Sequence, residues 1–248
     1  MKYSKKGVKF SRLAASEFAR LESAMTMPPM TMKAKGLELL LLAASMAFSV
    51  LLLAARFWYT GKTDYSFLVW NLFLAFLPFA ISSLLLLIGK HARVVFLLPF
   101  LALWLLFFPN APYILTDLFH LAPNAGVPLW YDLMLLLSFA WNGLMLGFIS
   151  LADLQRLLRQ RFNAVVAWFF VVISLGLGSF GVYLGRFLRW NSWDLLTRPE
   201  ELLMDILARF TNPLAFPRTW GMTLILTVFL TLSYLMLTRF SLRAIERD

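Results

Sequence analysis

Six separate apolar runs, near residues 36–57, 66–88, 94–118, 129–152, 163–187 and 218–240, leave this chain few folds to choose from. Each meets the roughly 20 residues that a helix needs to cross a hydrocarbon core about 30 Å thick. Inside hydrocarbon every backbone N–H and C=O must find a partner within the protein. Continuous apolar runs of this length therefore read as helices. Sixty per cent of the 248 residues are hydrophobic and 15% are charged, where soluble domains carry about 25% charge. Lipid must be the solvent for much of the surface. The expected fold is all-α: a polytopic bundle of six spanning helices, occupying residues 36–240.

The charged residues sit where such a bundle needs them. The net charge is +10, and eight Lys and Arg precede residue 36. The remaining cations flank the apolar runs, with no basic–aromatic stripe of the kind that binds DNA or RNA. With the N-terminus inside, 16 of the 23 Lys and Arg fall on the cytoplasmic side and seven outside. By the positive-inside rule both termini are expected on the cytoplasmic side of a plasma membrane. The basic tail over 1–35 is either disordered or a short amphipathic surface helix carrying Phe10, Leu13, Phe18 and Leu21. A second short tail covers 241–248. The first apolar run is too long for a signal peptide and lacks a cleavage pattern, so it reads as an uncleaved anchor.

Several chemistries are excluded. There is no cysteine, and His91 and His120 are the only histidines. Neither a cysteine nucleophile nor a multi-histidine metal site is available within one chain. No HExxH or GxSxG motif occurs. Glu200-Glu201 lacks the arginine a glutamate-based intramembrane protease would need, since Asp205 stands in its place. No metal or cofactor is expected.

The unusual polar residues gather at the end of the third run, the start of the fourth and the end of the fifth. Pro109 and Pro112 bracket Asn110, and each ring removes a helical hydrogen bond, so the third helix should kink or break inside the membrane. Beyond the break Tyr113, Thr116, Asp117 and His120 follow at i, i+3, i+4 and i+7, one face of an α-helix. That polar stripe faces a pocket or an interfacial boundary. Asp117 and His120 are spaced for a hydrogen bond, the one weak catalytic candidate. The fourth run opens on Trp130-Tyr131-Asp132, an aromatic anchor with an acid, and carries Asn142 about 15 Å deeper. Asn142 is suited to interhelical hydrogen bonding or to a ligand.

The fifth run holds a small-residue seam of Ser174, Gly178, Gly181 and Gly185, which suits close helix packing. Tyr183 and Arg186 lie beside it. Arg186 and Arg189, followed by Asn191 and Asp194, place cations at an expected outer interface. Planar guanidinium groups there suit a phosphate, a carboxylate or a partner acid. Thr197-Arg198-Pro199-Glu200 reads as a capping box opening an outer amphipathic helix over 198–210, placed to cover the site.

Three motifs, Phe108–Leu121 (FPNAPYILTDLFHL), Trp130–Leu133 (WYDL) and Gly185–Leu195 (GRFLRWNSWDL), resemble a family of bacterial and archaeal multi-pass membrane proteins of unknown function. The resemblance runs from the second to the sixth helix and implies a six-helix-like membrane domain. It supplies no activity. The residues themselves point to a ligand-binding protein whose pocket takes an anionic lipid, an envelope precursor or a partner, with membrane lipids around it. A transporter, suggested by the broken helix and Asn142, and a membrane-embedded enzyme acting on a lipid-linked substrate are the alternatives.

Overall fold

A computed structural model describes residues 32–88, 93–123 and 126–245. The amphipathic stretch expected within the N-terminal tail lies outside them. The chain forms α1 (Met32–Thr60), α2 (Phe67–Ile88), α3 (Val94–Phe107), a one-turn α4 (Asn110–Tyr113) and a 3₁₀ segment (Ile114–His120). These are followed by α5 (Leu129–Arg161), α6 (Ala164–Leu188), short α7 (Asp194–Thr197), α8 (Pro199–Thr211) and α9 (Pro217–Ile245). Among the described residues six stretches are long and apolar enough to span a membrane: Lys35–Thr60, Phe67–Ile88, Val95–His120, Leu129–Arg161, Ala164–Leu188 and Pro217–Thr238. The fold is the expected all-α polytopic bundle.

Helix α5 is the axis of the bundle. It packs against α1, α2, α4, the 3₁₀ segment and α6, while α9 closes against α6. Leu135, Leu136, Phe139, Leu146, Leu151 and Leu154 on α5 are essentially inaccessible. Its 33 residues run past the expected end at 152, because helical hydrogen bonding continues beyond the apolar core to Arg161. A tight reversal follows, in which Asn163 caps α6 by accepting the Val166 N–H at 2.9 Å.

The small-residue seam packs tightly, but its partner is the break in the third span rather than a continuous helix. A Cβ on Gly178 would lie 2.9 Å from the Phe108 ring, and one on Gly181 would lie 2.7 Å from Pro109 Cγ. From the other side, a Cβ on Gly143 of α5 would meet the Ala111 carbonyl at 2.9 Å, and one on Gly147 the Ala111 methyl at 2.8 Å. The Phe108–Ala111 turn thus sits in a slot between two helices with no side chains at the points of contact.

The prolines do what hydrogen bonding demands of them. Helix α3 ends at Phe107, and the carbonyls freed there are recovered by side chains. Asn110 Nδ2 donates to the Phe107 carbonyl at 2.9 Å, and Ser192 Oγ donates to the Leu106 carbonyl at 3.1 Å.

This packing predicts a sharp positional contrast. Gly181→Leu forces its side chain into Pro109 and is expected to cost about 1–3 kcal/mol or more through overpacking. Gly176→Ala, where a Cβ meets nothing within 4 Å, is expected to leave the melting temperature in detergent unchanged or slightly raised. Equal losses at both positions would contradict the slot.

Candidate functional site

Past the slot the chain winds as a 3₁₀ helix from Ile114 to His120, not as the α-helix that the i, i+3, i+4, i+7 spacing implied. Pro112 deprives the preceding turn of a donor, and the tighter winding of about three residues per turn takes over. The polar stripe is therefore not one flat face. Thr116 turns its hydroxyl back onto the Tyr113 carbonyl at 2.6 Å. What gathers the segment is Arg186, reaching across from α6.

Arg186 Nη1 lies 3.4 Å from the Tyr113 hydroxyl and 3.5 Å from Asp117 Oδ1. Its Nη2 donates to the Thr116 carbonyl and lies 3.1 Å from His120 Nδ1. A guanidinium can only donate, and the Asp117 carbonyl 3.2 Å from the same nitrogen can only accept, so the two contacts at Nδ1 call for opposite His120 tautomers. The other Asp117 oxygen accepts from Asn71 Nδ2 of α2 at 2.8 Å. Asp117 is 1% exposed with both oxygens engaged. The expected Asp117–His120 side-chain hydrogen bond is absent: those groups stand 3.9 Å apart. His120 instead contacts the Asp117 backbone carbonyl at 3.2 Å and rests on the Phe67 ring.

Beside this network opens a cavity of about 810 Å³. Trp70 and Leu74 of α2, Leu105 and Leu106 of α3, and Leu202 and Ile206 of α8 make its apolar walls. Asn110, Tyr113, His120, Arg186, Arg189 and Asn191 line its polar side. The volume falls within the range of small-molecule sites, about 300–1,000 Å³.

The two arginines, expected as a matched pair, have separate roles. Arg186 is held inward with 13% of its side chain accessible. Arg189 is exposed, and among the described residues it has no ion-pair or hydrogen-bond partner. It terminates α6 in the left-handed region, φ 61° and ψ 30°, where glycine or asparagine is usual. Trp190 N–H then folds back onto the Leu184 carbonyl at 3.2 Å.

The amphipathic helix lies where it was expected, as α8. Trp190 Nε1 donates to Asp205 Oδ2 at 2.8 Å and ties it to the loop after α6. Its opening differs from the expected capping box. Arg198 rather than Thr197 is the N-cap, with no side-chain cap, because the Thr197 hydroxyl turns to Asp194 Oδ1 at 3.2 Å.

Four of the sequence-derived candidates stand apart from the cavity. Asp132 is buried in an ion pair with Arg56 of α1, Nε to Oδ1 at 2.7 Å and Nη2 to Oδ2 at 3.2 Å. It joins α1 to α5, since that is the cation its helix faces. Asn142 donates to Ser49 Oγ at 2.9 Å and to the Ser45 carbonyl at 3.2 Å, an interhelical clasp also to α1. Tyr183 lies on a neighbouring apolar groove with Phe187 and Met222. Asp194 closes the loop after α6 by accepting the Asn191 N–H at 2.7 Å, and pairs with Arg198 at 3.3 Å. Two site residues escaped sequence reasoning, Asn71 and Ser192. A lone amide inside an apolar run was the available signal for Asn71.

The backbone N–H of Asn191, helped by Thr197 and Arg198, holds the Asp194 carboxyl below its ordinary pKa despite the opposing effect of burial. A depressed carboxylate pKa contributes stability above the unfolded value of about 3.9 and loses it as pH falls through the lower folded value. Hydrogen-exchange protection over 190–198, relative to the intrinsic rate at each pH, is therefore expected to hold down to about pH 4 and to fall only below it. Asp194→Asn is expected to accelerate exchange at neutral pH; slow exchange in that variant would contradict the closure.

A second expectation concerns Arg186. Arg186→Ala strands the Asp117 carboxylate and is expected to cost about 3–5 kcal/mol. The double change Asp117→Leu/Arg186→Met is expected to recover most of that in a detergent melt.

Comparison with known proteins adds one match. The model of a family described as protein of unknown function (DUF1361) matches residues 70–233, more than half of the chain. No curated protein and no solved structure matches it.

Proposed function

The chain belongs to the DUF1361 family of unknown function, and from that premise we propose that it is a membrane-embedded binding protein for an anionic amphiphile. The cavity takes the charged head, and the apolar walls between α2, α3 and α8 take the first part of its chain. The observation that carries this reading is Arg189, an exposed arginine with no partner among the described residues, on the wall of an 810 Å³ cavity. An arginine at a membrane interface attracts phosphate or carboxylate oxygen through charge-assisted hydrogen bonds. Arg186, already engaged with Asp117, positions the polar wall.

The distribution of Lys and Arg favours the extracytoplasmic side of the plasma membrane for this cavity, with both termini cytoplasmic. On that side an envelope precursor and an ordinary anionic lipid offer the same chemistry. Transport gains little from Asn142: its amide nitrogen is bonded to α1, and its Oδ1, buried without a hydrogen-bond partner, does not line the cavity. Catalysis gains little from Asp117, whose two oxygens are occupied.

Two measurements test the reading. Protein purified in mild detergent is expected to carry anionic lipid by native mass spectrometry, with occupancy about tenfold lower in Arg189→Ala. Equal occupancy in both proteins would reject the binding role. A single cysteine placed at Lys62 in this cysteine-free chain is expected to react with an impermeant maleimide on intact cells. Reaction only after lysis would reverse the orientation.

A further inference from the structure

The charges around the cavity also restrict which anionic head it suits, an inference that rests on the binding role proposed above. Two arginines and one histidine line the cavity, and among the described residues no carboxylate does. The nearby acids are all turned elsewhere. Asp117 is buried against Arg186 and Asn71. Asp194 is buried against Arg198 and the Asn191 N–H. Asp205 holds Trp190 and Arg209. Since Asp117 cancels Arg186, the cavity presents a net single positive charge, at Arg189.

The remaining polar groups on the wall are uncharged. Tyr113 accepts from Arg186 and keeps its own O–H to donate. His120 turns Nδ1 to Arg186 and the Asp117 carbonyl, which leaves Nε2 for a hydroxyl, as donor or acceptor according to the tautomer. Asn191 donates weakly to Asp194 at 3.4 Å, which leaves its amide oxygen as an acceptor. Such donors and acceptors suit hydroxyl groups. A ligand ammonium, by contrast, would meet two guanidinium groups and no acid. Arg198 already stacks over the Trp190 ring at 4.8 Å, so that aromatic wall has its cation.

We infer that the cavity selects a singly charged phosphodiester bearing a hydroxylated, amine-free head, of the phosphoglycerol type, and discriminates against zwitterionic phospholipids. The phosphodiester meets Arg189, the head hydroxyls meet Tyr113, His120 and Asn191, and the acyl-bearing end leads toward Leu74, Leu105 and Leu106. The same head occurs on a membrane lipid or free in solution, and both sources share this chemistry.

The test uses the full chain in nanodiscs containing equal parts of phosphatidylglycerol, phosphatidylethanolamine, phosphatidylcholine and phosphatidic acid, with retained lipid read by native mass spectrometry after detergent release. Phosphatidylglycerol is expected to exceed each zwitterionic lipid by about tenfold. Arg189→Gly is expected to abolish that preference while the melting temperature holds or rises, because glycine relieves the left-handed backbone. This separates loss of the cation from loss of the fold. Asp117→Asn leaves Arg186 uncancelled and is expected to shift retention toward the phosphomonoester of phosphatidic acid. A parallel arm adds glycerophosphoglycerol to lipid-stripped protein: binding weaker than that of the lipid identifies the membrane as the source, and equal binding identifies a soluble ligand.

Retention of phosphatidylethanolamine or phosphatidylcholine at the level of phosphatidylglycerol, with all three lost in Arg189→Gly, would overturn the selectivity and leave the binding role standing. Lipid retention indifferent to Arg189 would overturn both.

Discussion

The Asp117–Arg186 contact is the interaction on which this end of the bundle depends. Neither charge is tolerable alone in a low-dielectric interior, where each ion costs several kcal/mol to desolvate. Together they fix three elements. Asn71 brings in α2, Asp117 belongs to the 3₁₀ segment, and Arg186 comes from α6. The guanidinium also holds the Thr116 carbonyl and lies beside His120 Nδ1, so one side chain sets the course of the segment. Arg56–Asp132 does the same between α1 and α5. These pairs bring the termini of several spanning helices to one end of the molecule, and the cavity lies there for that reason.

That arrangement requires the third span to break where it does, and the break requires glycine elsewhere. Pro109 and Pro112 lack the N–H that a helix would use, so the segment keeps helical dihedrals but leaves carbonyls without backbone donors. Gly143 and Gly147 on α5, with Gly178 and Gly181 on α6, let the Phe108–Ala111 turn approach both helices within van der Waals distance. Asn110 and Ser192 then satisfy the Phe107 and Leu106 carbonyls. Ser192 belongs to the loop after α6, so repairing the break also draws that loop over the cavity mouth. Trp190 carries the constraint onward to Asp205 and helix α8. Glycine slot, proline turn, loop and surface helix form one mechanical chain.

Much of this was legible in the sequence, because it follows from local rules. Span lengths follow from bilayer thickness, the break from Pro109 and Pro112, and α8 from its apolar stripe. What was not legible depends on which side chains meet across helices. Asp132 resembles Asp117 in its surroundings along the chain, yet one faces α1 and the other α6. Only the packing order of the bundle decides that. Arg56 was readable as a lone cation in an apolar run, with a need for an acid, but several acids were available to it. The 3₁₀ winding after Pro112 escaped for a similar reason: the spacing of polar residues implies α periodicity, while the donors that proline removes favour a tighter turn.

Arg186 and Arg189 show how little sequence spacing says about role. Three residues apart, they were expected together at one outer interface, suited to a phosphate, a carboxylate or a partner acid. The helix ends between them, and the left-handed conformation at Arg189 directs the chain away before a second inward contact forms. A non-glycine residue in that conformation costs about 1–3 kcal/mol, and glycine would remove the cost with no loss of packing at an exposed position. Stability alone therefore argues for glycine at 189, whereas a cation beside an acid-free cavity argues for arginine. Strain retained at an exposed, charged residue with no partner among the described residues is difficult to explain by folding. It is simple to explain if the charge has a partner that the protein itself does not supply.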